Sequence, residues 1–417
     1  MANVFGVLIS VAKVQFFCEC KNAVLVLSEP EILTNVKSCS TSCNRLSFIV
    51  SLRCSKNTHA MIWLFRVLIF SIFFWPTASV VAQDTSSVVI AFYNVENLFN
   101  PSDDSLKNDD AFTPRGLNHW TYKKFTKKKN NIAKVILAMN DWSPPDIVGL
   151  EEIEDEYVLK KLCYDSPLKK YHYHYVHYDS PDARGVDVAL IYRADRIKIV
   201  ESRPVPIIFP FDSSCKNRDL LYVVAKLPTQ DSVHVIVNHW TSRYGGYAPT
   251  IIKRNYYASV VRAMADSILS RNPFANIVIG GDLNDYPEDE SVTKVLRAKD
   301  CELVSNLEEN DDAQLYDLMF HFSKLQNVGS HKHEDFWGCL DHIIVSQALL
   351  NKSSPISIEN RQANIFKAPF MIEPDEKYDG YRVFRTYSGP RYIGGYADHL
   401  PVFIRLVGEK SEREKHR

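Results

Sequence analysis

Excess charge is the first thing this sequence lacks: 49 Lys and Arg stand against 50 Asp and Glu, a formal net charge of -1 over 417 residues. No global basic field advertises a polyanionic partner. Short-period internal repeats and Pro/Gly/Ser-rich linkers are also absent, so one compact domain is the simplest organisation. Cysteine is scarce where it would matter. Five of the nine cysteines fall in the first 60 residues (Cys18, Cys20, Cys39, Cys43 and Cys54). The other four, Cys163, Cys215, Cys301 and Cys339, are too scattered to outline a disulfide framework or a metal cluster. They leave room for one or two disulfides after export. Nor is there a comfortable membrane span, because the apolar run Val67–Trp75 falls short of the about 20 residues such a helix needs.

That short run has its own meaning. It follows Met61-Ile-Trp-Leu-Phe-Arg66 and ends through Pro76 in Val80-Val81-Ala82, the plan of a secretory signal peptide cleaved near Ala82. The protein is therefore expected to be exported, periplasmic or extracellular, with an uncleaved N-terminal anchor as the alternative. Residues 1–60 then read as an over-extended start, 61–82 as the signal peptide, 86–408 as the working domain and 409–417 as a charged tail. Leaving out residues 1–82 removes 7 basic and 3 acidic side chains, so the remainder carries 42 against 47, a net charge of -5.

Within 86–408 the patterning is α/β. Val88–Tyr93, Asp146–Leu150, Val186–Tyr192, Leu220–Lys226, Val233–Val237 and Asn276–Ile279 have the β-branched, aromatic composition of buried strands. Thr121–Met139 and Ile251–Ser270 read as helices, the second with Ile252, Tyr256, Val260, Met264 and Ile268 as its apolar row. Lys123, Lys124, Lys127, Lys128 and Lys129 are expected on the solvated face of the first helix. Polar motifs cluster at strand ends, where layered α/β proteins expose their chemistry.

Taken singly those motifs are weak. Asn94 and Glu96 follow a strand, where polar residues are common anyway, and the acidic pair Glu151-Glu152 suits an ordinary loop start. Gly280-Gly281-Asp282-Leu283-Asn284 says more, since two glycines would let the backbone approach a ligand while a carboxylate and a carboxamide project from a strand end. Asp341-His342 and Asp398-His399 each pair a histidine with a carboxylate able to orient it. His172, His174 and His177 suggest no metal geometry, and His331 and His333 fall in a polar loop. Together, Glu152, His239, Asp282, Asn284, Asp341 and His399 supply what a Mg²⁺-assisted phosphoester hydrolysis requires: few acidic ligands, a residue to activate water and donors for phosphate oxygens. Arg184, Asn238 and Arg243 are the candidate substrate contacts, Arg243 because its guanidinium fork suits a phosphate.

In this order the motifs resemble the endonuclease/exonuclease/phosphatase superfamily, the group that includes deoxyribonuclease I. The resemblance rests on Phe92-Tyr-Asn-Val-Glu96, Asp146-Ile-Val-Gly-Leu-Glu-Glu152, Val186-Asp-Val-Ala-Leu190, Val237-Asn-His-Trp240, Gly280–Asn284, Leu340-Asp-His-Ile343 and Ala397-Asp-His-Leu-Pro401, and spans residues 88–406. It implies a four-layer α/β sandwich of two mixed β-sheets flanked by helices. It also implies Mg²⁺, with Mn²⁺ as a substitute, held by Glu152 with Asn94, Glu96 and Asp398. Asp282 would orient or deprotonate water, Asn284 would donate to a phosphate oxygen, and His399, oriented by Asp341, would contact phosphate or share acid–base work. His239 matches the mid-chain histidine of the nuclease and sphingomyelinase branches. Glu96 stands where many relatives have Asp.

The resemblance makes an exported endonuclease the first expectation, with nucleic acid as partner. The acidic charge argues against it, because nonspecific affinity for nucleic acid is mostly phosphate neutralisation. A phosphodiesterase or phosphatase acting on membrane lipid or a small molecule is the alternative, and Tyr244–Pro249 or Phe336-Trp337 could form the apolar loop that lipid demands. A non-catalytic binding protein on the same fold would show gaps in the polar set, and none is visible. No obligate protein partner is visible either.

Overall fold

Strand alternation builds the interior. Along Ser87–Leu98 (β1), Val88, Ile90 and Phe92 face one way and Ala91, Tyr93 and Val95 the other, and both sets are buried. A strand buried on both faces must lie between two layers. The computed structural model describes residues 87–303, 314–378 and 380–408, and the backbone of Lys13–Glu19 and Asn22–Ser28, which pair as an antiparallel hairpin. The signal-peptide segment 61–82, the rest of 1–60 and the tail 409–417 lie outside the described residues.

The chain divides into Met1–Ala82 and Gln83–Arg417, and the second unit holds two seven-stranded sheets. The first sheet runs in the order β12 (Ile356–Ile358), β14 (Val402–Gly408), β1, β2 (Ile147–Ile153), β4 (Asp187–Arg193), β3 (Tyr173–His177), and β13 (Asn364–Ile365) pairs with β14. The second runs β9 (Ala298–Asp300), β10 (Leu315–Asp317), β11 (Asp341–Ser346), β8 (Asn276–Asp282), β7 (Ser232–His239), β6 (Leu220–Lys226), β5 (Lys198–Val205). Both are mixed: β1 and β2 are parallel, as are β7 and β8, while most neighbours are antiparallel.

Each central parallel pair is joined through a helix, α1 (Tyr122–Trp142) between β1 and β2 and α3 (Tyr247–Arg271) between β7 and β8. Three apolar clusters separate four layers. One lies between α1, α2 (Glu156–Tyr164) and the first sheet, one between the sheets, and one between the second sheet and α3. This is the expected four-layer α/β sandwich. Thr121 and Asp155 start α1 and α2 by accepting N–H bonds from Lys124 and Val158. Asn140 and Asp141 take left-handed backbone angles that end the regular part of α1 before Pro144-Pro145. No helix among the described residues is long and apolar enough to cross a membrane.

Two expectations change. A row at every fourth residue drifts around a helix of 3.6 residues per turn, so α3 buries Tyr257, Ala258, Val261, Ala265 and Ile268 while Ile252 is exposed. In α1, Lys123 and Lys127 are solvated, but Lys128 and Lys129 are buried, because they fall between Phe125 and Ile132 on the core side.

The glycines of the Gly280-Gly281 pair serve packing rather than ligand approach. A Cβ on Gly280 would lie 2.3 Å from the Phe92 ring, and one on Gly281, at φ +115°, would lie 2.2 Å from the Asn238 carbonyl oxygen. Phe92 fills the space between the sheets, a burial worth about 1.5–3 kcal/mol. Gly280→Ala is therefore expected to destabilise the protein by about 1–3 kcal/mol through overpacking. A shifted midpoint in urea unfolding would show it, and an unchanged midpoint would contradict the packing role.

All four cysteines of the second unit are free thiols, so no disulfide joins them.

Candidate active site

The two parallel pairs end at the same edge of the sandwich, and that edge collects the polar motifs. In the second sheet, Asp282 at the end of β8 sits opposite His239 of β7 on one side and Asp341 of β11 on the other. In the first, Asn94 of β1 sits opposite Glu151 of β2, after which both strands lose register. Glu96, Asn97 and Glu152 adopt positive φ there. An irregularity of this kind re-aims side chains at a strand end. It turns Glu152 towards the second sheet, while Glu151, in step with Ile147 and Gly149, points between the sheets.

Asp282 is the hub. Its Oδ1 accepts the Asn284 N–H at 2.8 Å and its Oδ2 accepts from Asn94 Nδ2 at 3.1 Å. The same Oδ2 lies 3.8 Å from His239 Nε2 and 3.7 Å from His399 Nε2. Glu152 Oε1 is 3.8 Å from His239 Nε2, and its Oε2 accepts the Asn97 N–H at 2.8 Å. His399 Nδ1 pairs with Asp341 Oδ2 at 2.8 Å, which orients its Nε2 towards Asp282. Seven of the expected site residues thus converge: Asn94, Glu152, His239, Asp282, Asn284, Asp341 and His399. Asp398 adjoins His399, and its Oδ2 receives Arg385 Nη2 at 2.9 Å.

Burial sets the electrostatics. It pushes the Asp282 carboxyl up to about 6, against the pull of His399. Burial also works against charge on His399, but Asp341 and Asp282 outweigh it and raise the imidazole well above its usual value. His239 goes the other way: burial, then Arg218 and Arg184, drive it well below the ordinary range. The site therefore pairs a protonated His399 with a neutral His239. For Asp398, burial disfavours ionisation, yet Arg385, His399 and His331 hold it down to about 2.

Three expected contacts are corrected. Glu96 was expected among the metal ligands, but both its oxygens are engaged: Oε1 accepts from Arg385 Nε at 2.9 Å, and Oε2 accepts the Thr386 N–H at 2.7 Å and faces Lys128 Nζ at 3.5 Å. Asn238, expected to touch substrate, is fully buried; its amide donates to the Ile236 and Gly280 carbonyls and accepts from the Trp240 indole. Arg243 turns inward to the Asn284 carbonyl at 2.7 Å and to Asp285 at 2.8 Å, stacked between Tyr247 and Tyr286, and so braces the Asn284 loop. Arg184 stays half-exposed, with Nη2 3.9 Å from Glu152.

Four neighbours escaped the sequence reading. Arg385 bridges Glu96 and Asp398. Lys128 reaches Glu96, the Thr386 hydroxyl and the Tyr396 carbonyl. His331, expected in a polar loop, packs against His399 with ring centroids 4.7 Å apart. Glu151 lies beneath the site with neither carboxylate oxygen hydrogen-bonded among the described residues. For Lys128 a signal existed: it lies three residues after Phe125 and four before Ile132, on the apolar face.

The donors suit a hard divalent cation. Glu152, Asp282 and Asp398 supply carboxylates and Asn94 an amide oxygen, and His239 beside them is neutral. Nearby, the buried Asp341 Oδ1 and both Glu151 oxygens have no hydrogen-bond partner among the described residues. Such a concentration of buried carboxylates calls for a compensating positive charge.

The sequence pattern of the endonuclease/exonuclease/phosphatase family matches residues 89–408. The chain belongs to that family. Its members are metal-dependent phosphoric ester hydrolases, and the chain shares that enzyme class. Solved structures similar to it include a Bacteroides thetaiotaomicron mannosyl-6-phosphatase (17% identity, 77% of this chain and 99% of that one, TM-score 0.47). Others are a humanised D. rerio TDP2 (15%, 77% and 99%, 0.45) and the human Nocturnin catalytic domain (14%, 78% and 95%, 0.44). No curated protein matches the chain.

Proposed function

We propose that this family member is a Mg²⁺-dependent phosphoesterase, with nucleic-acid phosphodiesters as its first substrate class. The observation that carries the reading is the hydrogen-bonded Asp341–His399 pair facing Asp282 beside Glu152 and Asn94. Glu152, Asp398 and Asn94 would hold the ion, which supplies positive charge to a phosphoryl oxygen when bound. Asp282, buried and fixed by Asn94 and the Asn284 N–H, takes the proton of the attacking water at Oδ2. His399, protonated and held by Asp341, donates through Nε2 to the phosphoryl group as negative charge builds. His239 stays neutral, its Nε2 3.8 Å from both the Glu152 and the Asp282 carboxylate. Half-exposed Arg184 and Arg385 flank the carboxylates and suit phosphate oxygens on either side of the scissile bond. Export rests on residues 61–82, and N-terminal sequencing of the native protein tests it: a chain starting near Gln83 supports it, and one that keeps residues before Met61 contradicts it.

A second substrate class has its own support. Tyr244 is 94% exposed on the loop adjoining Asn284, Phe336 is 56% exposed on the hairpin that carries His331, and such rings would suit a lipid surface. The full-length protein with Mg²⁺ should be assayed on plasmid DNA, single-stranded DNA, RNA, sphingomyelin vesicles, phosphoinositide vesicles and a sugar phosphate. Highest kcat/KM on a nucleic acid is expected; turnover confined to vesicles or to the sugar phosphate would contradict that substrate class.

The pH dependence follows from Asp282. As the water-activating group it must be ionised, and burial places its carboxyl at about 6. Protonation then removes the base, so kcat/KM should rise with pH through an acid limb at or just below 6 and level off above it. The residual activity of Asp282→Asn should lack that limb. The same limb in the variant would assign it elsewhere.

A further inference from the structure

The short hairpin His331–His333/Phe336–Gly338 lies against the loop bearing Asp398-His399. His331 and His399 form an isolated antiparallel bridge, and the Leu400 N–H donates to the Ser330 carbonyl at 2.7 Å. Backbone pairing therefore fixes the two imidazoles side by side, their rings tilted by 40°. One ligand atom from each of His331, Asp398 and His399 lies within 4.8 Å of the other two.

The remaining atoms of two of these groups are already held. His399 Nδ1 is bound to Asp341, which leaves Nε2, and Asp398 Oδ2 is bound to Arg385, which leaves Oδ1. The His331 ring has no side-chain hydrogen bond among the described residues. A carboxylate fixing one nitrogen of an imidazole is the usual way a histidine is oriented to ligate through the other. Two imidazoles and one carboxylate suit Mn²⁺, Co²⁺ or Zn²⁺, whereas Mg²⁺ prefers oxygen ligands and keeps its waters.

We propose that His331, Asp398 and His399 form a second cation site, selective for an imidazole-binding divalent ion, beside the oxygen-lined site. Asp398 belongs to both sets, so the two ions would share that carboxylate. An ion there would take the place of the proton on His399 Nε2, so it, rather than the imidazolium, would supply the positive charge at the phosphoryl group; that role rests on the phosphoesterase reading, but the binding does not. His331 is the residue that decides the site, because the oxygen-lined set is complete without it.

The test uses the full-length protein without substrate. Titration with Co²⁺, followed by calorimetry and visible absorption, should give two bound ions, one with the intense bands of a low-coordinate, nitrogen-ligated site. His331→Gln should lose that ion or bind it at least about 10-fold more weakly, since loss of even a ligand's outer-shell partner costs about 10–100-fold, and keep the other. Pulsed EPR of the unmodified protein loaded with Cu²⁺ needs no variant and should show coupling to two imidazole nitrogens. One Co²⁺ per unmodified chain, or two ions with an unchanged spectrum in His331→Gln, would overturn the proposal, as would coupling to fewer than two imidazoles. Phosphodiester hydrolysis with Mg²⁺ alone is measured in parallel. Its absence would count against the phosphoesterase reading and leave the Co²⁺ count intact.

Discussion

Asp282→Asn is expected to lower kcat by about 10²–10⁴-fold, the usual contribution of a positioned acid–base group, while the protein stays folded. The substitution keeps the size of the side chain and an acceptor for the Asn284 N–H, but removes the atom that can take a proton from water. Near-constant KM is expected, because no substrate contact is assigned to this carboxylate. Burial and Asp341 together disfavour the Asp282 charge more than His399 favours it, so its neutralisation should not lower the melting temperature. Steady-state kinetics at saturating Mg²⁺ and a thermal melt check both parts. Activity within tenfold of the parent protein would remove Asp282 from the chemistry.

Lys128→Met should have the largest effect on stability, about 3–5 kcal/mol, the cost of removing one member of a buried ion pair. The ammonium is fully buried and holds three groups: the Glu96 carboxylate, the Thr386 hydroxyl and the Tyr396 carbonyl. Removing it leaves Glu96 to Arg385 and the Thr386 N–H, and leaves the Tyr396 carbonyl without that donor. Thr386 and Tyr396 lie in the stretch that leads to Asp398-His399, so the loss should also loosen the late edge of the site. Urea unfolding of Lys128→Met, Glu96→Gln and the double variant measures the coupling, and the double variant should be clearly less destabilised than the sum of the two. A loss under about 1 kcal/mol would mean that the pair is not the anchor described here.

Much of the site was legible because it is written at strand ends. β-branched runs closing in Asn94, Glu151-Glu152, Asn238-His239 and Asp282 mark where parallel strands stop, and parallel strands in one sheet deliver those residues to one edge. What stayed hidden depends on pairing across the fold. Arg385 meets Glu96 across 289 positions, and Lys128 meets Thr386 across 258. No local pattern announces either, although the position of Lys128 on the apolar face of α1 was readable. Asn238 and Arg243 misled for a related reason. Both have the chemistry of substrate ligands, but the next strand and the Asp285 loop engage them internally. Glu96 misled because its positive φ, a backbone feature invisible in sequence, turns its carboxylate to Arg385 and Thr386. His331 became visible only once a hairpin was laid against His399.

The most direct test of the central claim is hydrolysis of a simple aryl phosphodiester by the full-length protein in ¹⁸O-labelled water, with Mg²⁺ and then with excess chelator. The expected result is turnover only with the divalent ion, one ¹⁸O in the phosphate product, and turnover about 10²–10⁴-fold slower in Asp282→Asn. Turnover that survives chelation, or product phosphate free of ¹⁸O, would contradict water attack at a metal-assisted site.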